Sequence, residues 1–413
     1  MPIELAPARR RTSALAGLRP ASLPHAAPRT DRFEREIHCL LGLPVDALDL
    51  AGAAASVQDA IARRLPCFLA TPNVNFAVRA ARDEAFRDSL LATDLSLADG
   101  MPLVWIARLL GIPLRERVAG ADLFERLKRG EPRPLSVYFF GGEDGVAETA
   151  SRALNEERSG IACVGFESPG RGDVPALSLR SSIARINASG ADFLVVALGA
   201  QKGQRWIEHN LPRLAVPVVS HLGAVVNFAA GRIRRAPAWM RASGLEWLWR
   251  IREEHRLLGR YLSDGAMFFK ILLVRVLPLA WALRRRKPRG EDLQAARIET
   301  HDTEREIVLR LRGAWTRENL APLRAAYRRA ADAHRHIRLD LGRVSYVDSA
   351  FLGLTLVLHG AQRRSLRRLA CGPLSRPVQK IFHYAGVDFL VPAAAPGATL
   401  DMALEEAEQP LGE

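Results

Sequence analysis

A few residues in this chain have the type and the setting to do chemistry, and they gather at the ends of short apolar runs. Asp99 closes such a run in LADGMPLVWIARLLG (97–111), and Thr71 and Asn73 follow CFLA (67–70) in TPNVNF. A carboxylate placed there can take the proton of a weak nucleophile such as a hydroxyl. It can equally be the Asp of an Asp-Gly turn before a helix. Thr71 also has two readings, because Thr ahead of Pro72 makes a good helix start. Gly141 and Gly142, after LSVYFF, either let backbone N–H groups approach a ligand or simply turn the chain. His221 ends VPVVSH, as a ligand contact or as a structural histidine. No Asp-x-Asp pair occurs and the four cysteines lack metal-type spacing, so neither a metal nor a cofactor is expected.

These residues need a frame that brings strand ends together. From about 33 to 260, short apolar runs alternate with amphipathic stretches: CFLA, LSLA, LSVYFFGG, DFLVVALGA and VPVVSHLGA each lead into a helical pattern. Five such units predict a parallel sheet covered by helices, an α/β fold of Rossmann type. Ligands in that architecture sit outside the carboxyl ends of the strands, so Thr71 and Asp99 are expected to share one mouth.

The 413 residues are 48% hydrophobic and 25% charged, enough for two or three soluble domains. The scattered cysteines, mostly in apolar runs, predict reduced, buried thiols, and the N-terminus lacks the apolar core of a signal peptide. Net charge is +14 and uneven, with 15 Lys and Arg against 4 Asp and Glu in residues 232–289. Residues 1–32 read as a disordered basic tail and 401–413 as an acidic one. An anionic partner is expected; the basic excess adjoins an apolar stretch rather than a nucleic-acid-binding pattern, which argues against nucleic acid.

That apolar stretch lies within 262–289, where MFFKILLVRVLPLAWALRRRK is interrupted by Lys270, Arg275 and Pro278. As a helix, Ala266 to Leu283 would be about 27 Å long, marginal for a ~30 Å hydrocarbon layer. The expectation is an amphipathic membrane-associating helix with a polybasic anchor; a core helix is the alternative. Residues 290–304 read as a polar linker, and 305–400 as a small α/β unit.

TPNVNF, LADGMPLVW, ERVAGADLFERL, VYFFGG and GRIRRAPAWMRASGLEWLWRI, in that order over about 35–262, resemble the bacterial N-acetylmannosaminyltransferase-like glycosyltransferases of teichoic acid, enterobacterial common antigen and exopolysaccharide synthesis. The resemblance implies inverting transfer from a UDP-sugar to a polyprenyl-diphosphate-linked acceptor at the cytoplasmic face of the inner membrane. Asp99 then matches the proposed general base, with Thr71 and Asn73 beside it. Guanidinium groups would balance the leaving UDP, with Arg117, Arg250, Arg256 and Arg260 as candidates. Some of these could instead face lipid headgroups. Asp122 would support Arg117 or bind the donor; as a plain structural residue it would cap a helix. His221 could touch the donor.

LDLGRVSYVDSAFLGLTLVL resembles a STAS domain, which implies docking of a protein partner or stabilisation of a homo-oligomer. The residue phosphorylated in regulatory STAS proteins corresponds to Ala350 here, with Ser349 one position early. The transferase-like part departs from its family pattern at Gln201, Lys202, Gly203 and Gln204, where Pro-Lys-Gln-Glu is usual, and at Asn227 and His255. Those departures motivate a second reading, a weakened nucleotide-sugar-binding scaffold or regulator acting through the STAS-like domain.

Overall fold

The computed structural model describes residues 32–129, 134–253, 255 and 258–392. Both predicted tails fall almost wholly outside that range. The first element is a hairpin, β1 (Ile37–Leu40) and β2 (Leu43–Asp46). Its two-residue turn, Leu41-Gly42, has φ of 55° and 77°, the paired positive angles of a type I′ turn.

The main sheet contains β3 (Cys67–Ala70), β4 (Leu95–Ser96), β5 (Leu135–Gly141), β6 (Ile161–Glu167), β7 (Phe193–Ala197) and β8 (Val218–His221). Its order is β4-β3-β8-β7-β5-β6, with every pair parallel. Strand β7 shows why the runs are continuously apolar. Phe193 and Val195 join one helical layer's core while Leu194 and Val196 join the other's, and all four are fully buried. The five predicted units are present; β6 and the hairpin are additions.

The C-terminal unit has β9 (Arg297–Asp302), β10 (Glu306–Trp315), β11 (His336–Val347) and β12 (Leu369–Leu374) in the order β12-β11-β10-β9. Strand β9 pairs antiparallel with β10, and a short helix, Gly290–Gln294, precedes it. The polar segment 290–304, expected to be a linker, is thus largely ordered structure. Alternation does not reveal β9 because it is an exposed edge strand with no apolar face to show.

Nor does this unit stand apart. One hydrophobic core joins Phe33, Ile37, Cys39, Leu91 and Leu279 to Trp315, Tyr327, Phe351, Leu356 and Phe382. Helix Ser349–Arg364 lies directly on the β1–β2 hairpin. A Cβ on Gly353 would sit 2.7 Å from the His38 Cα, and one on Gly360 only 2.1 Å from the Leu91 carbonyl oxygen. Arg364 pairs with Asp94 at 3.0 Å and Arg363 with Asp88 at 3.0 Å, while Ser349 Oγ is 3.0 Å from His38 Nδ1. The helix that starts at Ser349 is therefore occupied within the chain.

The apolar segment forms helix Leu258–Ile271, a π turn Leu272–Val276 and helix Leu277–Arg285. The wide turn lies just before Pro278, whose ring in a regular helix would meet the carbonyl four residues earlier. Val276, Leu279 and Ala280 are buried, whereas Leu262, Phe269, Leu273, Val274, Leu277 and Trp281 are exposed.

Candidate active site

Main-chain hydrogen bonds extend the β3–β4 pairing past the strands and set the site. Leu97 N donates to the Ala70 carbonyl (2.9 Å) and Asp99 N to that of Pro72 (2.8 Å). Val118 N donates to the Ala98 carbonyl (2.8 Å), which draws the loop bearing Arg117 alongside. Gly120 lets the next helix, Gly120–Lys128, close on Leu222, where an added Cβ would lie 2.2 Å from its Cδ2, and this seats the helix start beside Thr71. Thr71, Asp99, Arg117 and Asp122 thus lie together beyond the carboxyl ends of β3 and β4.

The side chains form a charged network. Arg117 Nη2 donates to Asp122 Oδ2 at 2.9 Å, and Arg117 Nη1 lies 3.5 Å from Glu246 and 3.8 Å from Asp99. Asp122 Oδ1 also accepts from Arg235 (2.5 Å) and Arg241 (2.7 Å). Arg250 lies 3.7 Å from Glu246. Burial first, and then the Glu246 carboxylate, push the Asp99 carboxyl up to about 7; Arg117 and Arg250 pull the other way, and Asp122 adds to the rise. A carboxylate tuned to that range can act as a proton acceptor near neutral pH.

Capping roles differ from the sequence reading. Asn73, not Thr71, caps helix Val74–Ala80, its Oδ1 accepting from Phe76 N at 3.2 Å. Asp122 is no cap: Ala119 holds the N-cap position of its helix, and Asp122 lies in the first turn. Asp99 does not cap helix Met101–Leu109, whose N-cap is Gly100.

Gly141 and Gly142 have φ of 103° and 94°, and a Cβ on Gly141 would strike the Ala197 carbonyl oxygen at 2.8 Å. His221 ends β8 against Gly203, where an added Cβ would lie 2.5 Å from His221 Nδ1. Burial lowers His221 to about 4, against a hydrogen bond with the Val196 backbone, so the ring is neutral at pH 7. Gln204, fully buried on the adjoining helix Ala200–Asn210, has no hydrogen-bond partner for either amide atom among the described residues; the same holds for Ser220 Oγ and His221 Nδ1. Gln201, also in the divergent stretch, is tied to Arg79 and Asp83, and Lys202 donates to the Gly172 carbonyl at 2.6 Å. Arg256 lies outside the described residues; Arg260 falls in helix Leu258–Ile271.

The sequence reading missed Glu246, Arg235 and Arg241. They belong to GRIRRAPAWMRASGLEW, but nothing in their spacing shows that Arg235 and Arg241 fold back on Asp122, and Glu246 on Arg117, from more than a hundred residues away. Among the described residues, no group of three or more His, Cys, Asp or Glu is placed to hold a metal ion.

The family model described as "Glycosyl transferase WecG/TagA/CpsF family" matches residues 38–281, more than half of the chain. The chain belongs to that family. A second model, "Mlab, STAS domain", matches residues 298–392, so the C-terminal unit of this WecG/TagA/CpsF-family protein is a STAS domain. Its relatives include the N-acetylglucosaminyldiphosphoundecaprenol N-acetyl-beta-D-mannosaminyltransferase of Bacillus spizizenii, 29% identical over 45% of this chain and 70% of the relative. The Bacillus subtilis enzyme of the same name is 29% identical over 46% and 73%, and the Staphylococcus aureus one 25% over 49% and 79%. A solved structure of the Bacillus cell fate determinant SpoIIAA in its phosphorylated form matches 28% of this chain and 100% of its own, at 23% identity and a TM-score of 0.22.

Proposed function

We propose that this glycosyltransferase moves N-acetylmannosamine or a related sugar from a UDP-sugar to a polyprenyl-diphosphate-linked sugar, with inversion and without a metal, at the cytoplasmic face of a bacterial inner membrane. The observation that carries the reading is Asp99: a strand-end carboxyl raised to about 7, beside Arg117 and within a cluster of guanidinium groups. Names of relatives that act on a diphosphoundecaprenol-linked sugar support the substrate class.

In the reaction, Asp99 takes the proton of the acceptor hydroxyl as its oxygen bonds to the anomeric carbon of the donor. The bond from that carbon to the UDP oxygen breaks at the opposite face, and UDP leaves with the electron pair. Each guanidinium carries five N–H donors, and Asp122 engages only part of that capacity on Arg117, Arg235 and Arg241. The remainder can meet the diphosphate charge as it develops. The glycine turn at 141–142 and the unpartnered Gln204 amide fit the donor side of the same mouth. The exposed apolar face between Leu262 and Trp281, with Arg284, Arg285, Arg286, Lys287 and Arg289 after it, fits a helix lying in the membrane surface, because its opposite face is buried in the protein.

The test combines membranes carrying a lipid-linked acceptor with a panel of UDP-sugars. An inverted product that disappears in Asp99→Asn is expected. A folded protein without turnover on any donor would favour the scaffold reading, which the divergent 201–204 stretch motivates.

A further inference from the structure

The apolar helix ends against the STAS domain, and that junction is strongly basic. A cleft of ≈ 590 Å³ lies between Arg286 and helix Arg376–Ala385, lined also by Lys380, His383, Tyr384 and Asp388. The STAS helix buries Val378, Ile381, Phe382 and Ala385 and turns Arg376, Lys380 and His383 outward, at the three- and four-residue spacing that aligns one helix face. Among the described residues the one acid lining the cleft, Asp388, is engaged by His383 Nδ1 at 3.2 Å. Arg286, Arg376 and Lys380 pair with no carboxylate among the described residues, unlike the arginines of the active site.

We propose that this cleft binds the phosphates of anionic phospholipid headgroups, making the STAS domain a second membrane contact of the transferase. The proposal rests on the reading that the exposed face from Leu262 to Trp281 enters the lipid surface. Trp281 joins the two regions: the Arg285 guanidinium stands 4.4 Å over its ring, an arrangement suited to the headgroup level. A second cleft of ≈ 370 Å³ shares Arg286 but sets Lys287 and Arg289 beside Glu291 and Asp292, so the basic excess is concentrated in the first cleft. The geometry is held from within. Arg275, which looks like a flaw in an apolar run, reaches Gly386 at the end of the STAS helix, where an added Cβ would lie 2.7 Å from its Nη1. A guanidinium at a helix C-terminus is favourably placed. The apolar face and the basic face are thus fixed relative to one another.

The experiment is sedimentation of the full-length protein with phosphatidylcholine vesicles, with and without phosphatidylglycerol. Wild type should bind both and prefer the anionic ones. R376Q/K380Q should keep phosphatidylcholine binding and lose roughly 25-fold on anionic vesicles, about fivefold per charge removed. Leu273→Ser with Trp281→Ser should lose both. Wild-type binding to neither vesicle brings down the membrane reading and this proposal together. An unchanged anionic preference in R376Q/K380Q overturns the cleft alone. Glycerol phosphate that saturates the cleft in solution, while vesicle binding is indifferent to R376Q/K380Q, would mark a soluble phosphate ligand and also overturn it. Both substituted side chains are exposed, and an unchanged circular dichroism melt verifies folding.

Discussion

Two aspartates in this chain stand in the same sequence setting and have opposite fates. Asp99 ends a parallel strand run before helix Met101–Leu109, and Asp348 follows β11 before helix Ser349–Arg364. Asp348 is the N-cap. Its Oδ1 accepts from Ala350 N and Phe351 N, both at 2.9 Å, and its Oδ2 from Arg317 N at 2.9 Å. Asp99 is displaced one residue outward because Gly100, with φ of 110°, takes the cap position, and Pro102 has no N–H to offer. The carboxylate that no helix end consumes is left for the network of Arg117 and Glu246. The capping aspartate and the proposed base differ in whether the first helical turn uses up their oxygens.

The sharpest way to break this comparison is to neutralise both. Asp99→Asn should cut turnover by about 10²- to 10⁴-fold, the usual worth of a positioned general base, whereas Asp348→Asn should leave the rate per folded molecule unchanged. Product formation from lipid-linked acceptor measures both. The same Asp99 substitution should stabilise the fold at neutral pH. A carboxyl raised from 3.8 to about 7 on folding contributes stability that is present below pH 3.8 and is lost as pH rises through 7. Asn escapes that loss, so the variant should melt above wild type at pH 8 and converge with it near pH 4. Equal melting at pH 8 would place Asp99 in water, outside the network.

A pH profile comes next in size. With Asp99 as base, the rate should fall about tenfold per unit as pH drops below about 7. Glu246→Gln removes the carboxylate that, after burial, raises Asp99 most, so the acidic limb should move to lower pH. A limb that stays in place would assign the titration to another group.

Much of this was legible in the sequence because the signals are local. Apolar runs bounded by turns disclosed β3, β4, β5, β7 and β8, and Asp99 and Thr71 stood out by their positions at strand ends, whereas Arg117 came from the ERVAG resemblance. The rest depends on contacts distant in sequence. Nothing near Asp122 shows that Arg235 and Arg241 return to it, and nothing in SAFLGLTLVLHG shows that Gly353 and Gly360 are the floor of a seam with His38 and Leu91. The two aspartates differ legibly only through Gly100 and Pro102, a backbone effect rather than a side-chain one.

Removing the structural aspartate's cap gives a smaller change. Asp348→Ala should cost about 1 to 2 kcal/mol in urea denaturation, the range for a lost N-cap, with kcat per folded molecule retained.

The smallest effect belongs to the residue after each aspartate. Gly100 leaves Asp99 uncapped, while Ser349 ties its helix start to the transferase through His38 Nδ1 at 3.0 Å. Burial, helped by Arg317 and Arg324, lowers His38 to about 4, so the ring is neutral where the seam is intact. A histidine whose pKa falls on folding contributes stability above 6.5 that is lost as pH drops toward 4. Ser349→Ala should cost about 1 kcal/mol, the net worth of one hydrogen bond, at pH 7. Destabilisation of the wild type between pH 6.5 and 4 should persist in this variant and shrink in His38→Gln, where His221 and His359, both also lowered to about 4 by burial, keep the rest, because the hydroxyl fixes the ring's position while burial sets its titration. An acid limb as large in His38→Gln as in the wild type would locate the pH sensitivity elsewhere, leaving the seam held by packing against Gly353 and Gly360.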